Sequence, residues 1–172
     1  PDISNAYFGD MAKAIEEEAA KQGYIVILGS SNEESSKSKL LVNTLLSRQV
    51  DGIILALVEN EEQEISKIIH KIPTVLVDRY VDDKDLSYVT LNNYEAAYDA
   101  VKHLSDRGYK QIAIVGYQTK MLHIQDRFEG YRSAMKTLNP EAKLQIGEVR
   151  YQAIREDMKH ILDRFLHSGG ID

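Results

Sequence analysis

The residues best placed for chemistry are polar side chains that directly follow short apolar runs. Asp78 and Arg79 come straight after the run 74–77. A carboxylate there can accept hydrogen bonds from two adjacent hydroxyls, which is how a sugar ring is commonly gripped. The plainer reading is an Asp that caps a turn, and spacing alone does not choose between the two. After Val115 a polar loop, residues 116–123, leads into Arg127. Arginine presents a rigid fork of donors that suits diols, carboxylates or phosphates. Against that stands an ordinary surface arginine on a helix, which periodicity favours. His123 can donate to a ligand or can be a solvated loop histidine. Tyr7 and Phe8 fall in the first turn of an expected helix. Phe8 reads as core, and Tyr7 as a stacking surface for a ligand ring or as a packing residue.

Other chemistries lack their residues. No G-x-G-x-x-G or Walker-type loop follows any apolar run, so a nucleotide phosphate has no glycine cradle. His70, His103, His123, His160 and His167 make no H-E-x-x-H or other metal-ligand spacing. There is no G-x-S-x-G elbow for a nucleophile. The carboxylates of 16–18 and 59–64 sit on helix faces or helix starts, where solvation and the helix dipole account for them. The reading is therefore no enzyme, no catalytic residues, no cofactor and no metal.

The strand-end residues need elements to hold them. Short runs rich in Val and Ile, at 24–28, 52–57, 74–77 and 111–115, read as strands covered on both faces. Helical patterns lie between them. The first carries Phe8, Met11, Ile15 and Ala19 on one stripe, with Ser4 or Asn5 as N-cap and Gly23 as the stop. A second spans 33–48 with Leu41, Leu45 and Leu46 inward. A third starts at Asn60, with Gln63 in capping-box relation and Ile65, Ile68 and Ile69 on its stripe. A fourth starts at Asn92 with Glu95 in the same relation and stops at Gly108. The fifth and sixth span 125–138 and 152–167, the last stopping at Gly169–Gly170. Strand–helix alternation of this kind predicts an α/β fold with parallel sheets. Gly23–Tyr24 and Gly108–Tyr109 each lead into an apolar run, an echo that suits two similar lobes. A helix-first start and a turn-like close predict that strands flanking the chain are missing.

Composition bounds the partners. The 172 residues carry a net charge of −6, a poor match for a phosphate backbone, so this stretch is not expected to hold DNA by itself. Cysteine is absent, which fits a reducing compartment. No apolar run approaches the roughly 20 residues that span a bilayer, and no secretion signal is visible.

Several stretches, in order and over nearly the whole chain, resemble the lactose/galactose repressor family. They are Pro1–Asn5 with Tyr7–Phe8, Ala14–Glu16, Gly23–Tyr24, Leu45–Arg48 with Val50–Ile54, Ile72–Arg79, Val89–Thr90 with Asn92–Asn93, His103–Leu104, Gly108–Tyr109, Ile112–Ile114 and Arg127–Tyr131. The resemblance implies a two-lobed fold like that of periplasmic binding proteins, each lobe a parallel sheet flanked by helices, incomplete here at both ends. It places an N-terminal effector-binding lobe at 1–91, without its first strand, and a partial C-terminal lobe at 92–172. It implies an effector-sensing part of a cytoplasmic repressor. The effector is a sugar or a sugar-phosphate-like molecule held by Tyr7, Phe8, Asp78, Arg79, His123 and Arg127. It further implies a homodimer, operator DNA bound through a headpiece outside this chain, and no membrane. His123 stands where the family often has a small hydroxyl residue, and Met121 stands where purine-binding relatives carry Arg, which points away from a purine. The alternatives are a periplasmic sugar-binding protein for transport and a doubly wound enzyme whose nucleotide loop lies outside the chain.

Overall fold

A computed structural model describes residues 1–61, 65, 67, 68 and 71–167. Asn5 opens the first helix, its side-chain oxygen accepting from the Tyr7 N–H at 3.1 Å, so Asn5 and not Ser4 is the cap. Helix α1, Ala6–Lys21, ends where Gly23 takes φ +81° and the Tyr24 N–H reaches back to the Ala19 carbonyl at 3.0 Å. Helix α2 is Ser35–Ser47. Strands β1 (Ile53–Leu55), β2 (Thr74–Val77) and β3 (Ser87–Val89) form a parallel sheet in that order, with Ile53 opposite Thr74 and Val75 opposite Ser87.

Helix α3, Asn93–Asp106, starts at Asn92, whose side chain accepts from the Glu95 N–H at 3.1 Å. It ends at Gly108, φ +94°, with Tyr109 N–H bonded to the Leu104 carbonyl, the same stop as in α1. Strand β4 (Ala113–Tyr117) pairs in parallel with β5 (Gln145–Val149), and helix α4 (Leu122–Leu138) connects them. A 3₁₀ turn at Tyr151–Ala153 leads into helix α5, Ile154–His167. Among the described residues no helix is long and apolar enough to cross a membrane.

The chain forms two compact units. One is Pro1–Val77 with Asp82–Val89, and the other is Asp78–Val81 with Thr90–Asp172. The chain thus leaves the first unit at the carboxyl end of β2, returns for β3 and leaves again after Val89. In the first unit Val42, Ile53, Ile68 and Ile72 are buried together, with Leu45 and Leu46 packed against them. In the second, Val101, Ile112, Tyr131, Ala134 and Met135 form the core between α3, β4 and α4. Tyr131 locks that core. Its hydroxyl donates to the Ile112 carbonyl at 2.8 Å and accepts from the Gln145 N–H at 2.9 Å, so one side chain ties the entries of both strands. Val149, Ile161 and Phe165 pack α5 onto β5.

Residues 24–28 are not a strand. They have no ladder partner among the described residues, and Tyr24, Ile25, Ile27 and Leu28 are exposed, Ile25 to 93%. An apolar run is a strand only where a neighbour accepts its backbone bonds. The strand expected at 111–115 begins two residues later, after Ile112 turns into the core, and α4 begins three residues earlier than expected. Strand β5 follows no strong apolar run, because Gly147 and Glu148 interrupt it. Gln63, Ile69 and the stop at Gly169–Gly170 lie outside the described residues.

Candidate functional site

The second unit gathers most of the strand-end residues. Leaving β2, the backbone of Asp78 takes a left-handed φ of +66°, a conformation that Asp adopts more readily than most residues other than glycine. The Thr90 hydroxyl donates to the Asp78 carbonyl at 2.8 Å. The Asp78 carboxylate lies 3.7 Å from the Arg79 guanidinium, and both side chains are about 15% exposed. The next residue, Tyr80, donates its hydroxyl to the Asp126 carboxylate on α4. Segment Asp78–Val81 is therefore fixed to the second unit at both ends.

Helix α4 supplies the facing groups. Met121 starts it, and the Met121 N–H is bonded to the Thr119 hydroxyl at 3.2 Å. The first two turns then present His123, Asp126 and Arg127 at a spacing of three to four, which puts them on one side. His123 is buried, 7% exposed, rather than solvated. Its Nδ1 is buried without a hydrogen-bond partner among the described residues. Burial lowers its pKa from 6.5 to about 4, so the ring is neutral near pH 7. Asp78, Arg79, Arg127 and Asp126 all act on it electrostatically, two carboxylates against two guanidiniums, so their fields largely oppose one another. A neutral imidazole with an unused nitrogen can donate to or accept from a hydroxyl, according to tautomer.

Arg127 is half-buried, not a free surface arginine. Its Nε donates to the Asn93 side-chain oxygen at 2.7 Å. It lines an open hollow of about 210 Å³ at the carboxyl ends of β4 and β5, together with Gly116, Tyr117, Ile124, Val149 and Ile154. In an open α/β sheet that is the end where ligands bind. The wall is mainly apolar, with Arg127 the charged group among the lining residues. Apolar walls with few fixed polar groups are the usual make-up of a small-molecule site. Gly116 leaves room for the Phe128 ring, since a Cβ there would come within 2.8 Å of it.

The structure thus brings Asp78, Arg79, His123 and Arg127 into one unit. Tyr7 and Phe8 belong to the other unit, at the start of α1. Their rings meet edge-to-face at 5.2 Å, with Tyr7 exposed and Phe8 half-buried. Sequence reasoning missed Tyr80, Thr90, Asn93 and Asp126. Asn93 sits beside Asn92, whose reading as the helix start drew the attention; Asp126 adjoins Arg127, which drew it in the same way.

The chain is similar to known proteins. A family model described as periplasmic binding proteins and sugar binding domain of LacI family matches residues 1–164. Catabolite control protein A of Priestia megaterium is 34% identical over 139 residues, 78% of this chain and 41% of the relative. The crystal structure of transcription regulator CcpA of Lactococcus lactis superposes with a TM-score of 0.82 at 29% identity, over 99% of this chain and 63% of that one. A periplasmic binding protein/LacI transcriptional regulator from Alkaliphilus metalliredigens, solved with D-xylulofuranose, gives 0.74 at 26% identity over 87% of this chain and 54% of that one. The chain spans less than half the length of the curated relatives it matches.

Proposed function

The chain belongs to the family of periplasmic binding proteins and sugar-binding domains of the LacI family, and from that membership we propose that it senses a small polyhydroxylated effector for a transcription repressor. The carrying observation is that Asp78, Arg79 and Arg127 all act electrostatically on the buried His123 within the second unit, where Arg127 also lines the hollow beside β4 and β5. The Asp78 carboxylate accepts from vicinal hydroxyls, the neutral His123 ring adds a further donor or acceptor, and the Arg127 fork donates to ring or exocyclic oxygens. The effector is a free sugar or a sugar phosphate. No catalytic step is part of this reading.

Operator DNA and a homodimeric assembly are proposed for the whole protein, which works in the cytoplasm. This chain's own charge of −6 leaves DNA contact to other parts. The reading is favoured over a transport protein because a relative at 32% identity is a ribose operon repressor and a solved structure at 29% identity is a transcription regulator.

The test is calorimetric titration of the intact protein with D-xylulose, D-ribose and fructose 1-phosphate. At least one is expected to bind. Asp78→Ala should then weaken it by about tenfold or more, the effect of deleting a charged hydrogen-bond partner. Unchanged affinity in Asp78→Ala removes that residue from the site.

A further inference from the structure

Arg127 and Asp78 are joined by a chain of hydrogen bonds with a fixed direction. Arg127 Nε donates to Asn93 Oδ1 at 2.7 Å. The other end of that amide, Asn93 Nδ2, donates to the Leu91 carbonyl at 2.9 Å and lies 3.4 Å from the Thr90 hydroxyl oxygen. The Thr90 hydroxyl proton goes to the Asp78 carbonyl at 2.8 Å, so its oxygen is left to accept from Asn93. Turning the Asn93 amide over would set its NH₂ against the Arg127 N–H and its oxygen against the Leu91 carbonyl. Donor would then face donor and acceptor face acceptor, so only one orientation is consistent. Asn93 is 3% exposed, and water does not compete freely for these bonds.

We propose that Asn93, with Thr90, is a positioning residue that fixes the guanidinium fork of Arg127 and links its placement to the left-handed turn at Asp78. The proposal rests on the effector reading above and deepens it. With Nε held by Asn93, Arg127 keeps the N–H groups of its two Nη atoms as the fork that meets a ligand. Without Asn93 the side chain gains rotamers, and any ligand must order it on binding. Thr90 acts at the other end, since its hydroxyl holds the backbone of the residue whose carboxylate grips the same ligand. Neither residue needs to touch the effector. Asn93 also opens α3, so the relay is anchored on a helix start and not on a loop.

The experiment reads Arg127 directly. In the intact protein labelled with ¹⁵N-arginine, the Arg127 Nε–Hε signal is identified by its loss in Arg127→Lys. Its exchange with water is expected to be slowed by about tenfold or more relative to exposed arginines, as a hydrogen bond to a charged donor implies. Asn93→Ala should abolish that protection, and Asn93→Asp should retain it because a carboxylate accepts from Nε. Thr90→Val should leave the protection intact. In parallel, D-xylulose affinity should fall by about fivefold or more in Asn93→Ala and in Thr90→Val and recover in Thr90→Ser, while Asn93→Asp, which keeps the Arg127 bond but loses the donor to Thr90, should lie between Asn93→Ala and wild type. Equal Hε exchange in wild type and Asn93→Ala overturns the relay, and so does lost protection with unchanged D-xylulose affinity. If Asn93→Ala does not fold, Asn93→Asp and Thr90→Val decide it, with loss of Hε protection in either one overturning the relay. Should the protection follow this pattern while wild type binds no sugar, the relay stands and the effector reading is what fails.

Discussion

His123 carries a titratable ring in a place that water barely reaches, and that fixes the sign of its pH behaviour. Its folded pKa, about 4, lies below the ordinary value of 6.5. As pH falls through that window the unfolded chain takes up a proton before the folded one, and stability declines. Above the unfolded value the ring is neutral in both states and adds no pH dependence. Asp157 behaves alike at lower pH. Hydrogen bonds from the Arg150 side chain and N–H, at 2.6 to 3.0 Å, hold its pKa near 2, below 3.8. Its contribution is complete above the unfolded value and is lost as pH falls towards the folded one. Urea midpoints measured against pH should therefore fall in two steps. His123→Gln should remove the step below pH 6.5 and leave the acidic one, whereas Asp157→Asn should do the reverse. A His123→Gln protein with an unaltered upper step would mean that the ring is solvated after all.

Helix-on-helix contact gives the next scale its test. Helices α3 and α4 approach closely at Gly130, where an added Cβ would stand 2.1 Å from the Tyr94 carbonyl oxygen. The obstacle is backbone, so the helices themselves must separate. Gly130→Ala is expected to cost about 3 kcal/mol or more, the upper end of overpacking penalties. Gly108→Ala has open space around it and only its φ of +94° to strain, so about 1 kcal/mol is expected there. Equal losses from the two, measured by urea unfolding, would show that α3 and α4 can slide apart freely. This contrast also shows what the residues announce and what they conceal. Gly108 was legible as a helix stop, because a glycine after an amphipathic stripe is a local signal. Gly130 lies inside a helical pattern, and nothing local distinguishes a close approach from a tolerated glycine. The same division runs through the site. Asp78 and Arg127 were legible from their places after strands and in a family pattern. Asn93, Tyr80 and Asp126 earn their roles from partners 34 or more residues away, which no periodicity carries. Residues 24–28 erred the other way, since an apolar run fixes a preference for extended backbone but not the neighbour that would complete a ladder.

On the proposed reading, the property to test in the whole molecule is linkage. If effector binding alters operator affinity by some factor, thermodynamics requires operator binding to alter effector affinity by the same factor. That factor is typically about 5- to 150-fold. It has to arise from a ligand that prefers one state of the protein, because equal affinity for both states moves nothing. On the proposed reading, salt should weaken operator binding steeply, by counterion release at parts of the protein outside this chain, and should barely change the binding of a neutral sugar such as D-xylulose. Fluorescence anisotropy with operator DNA and calorimetry with the sugar, each run with and without the other ligand, give four affinities. Their two ratios should agree. A sugar that binds tightly yet leaves operator affinity unmoved would separate the pocket from transcription control and favour a carrier that only holds its solute.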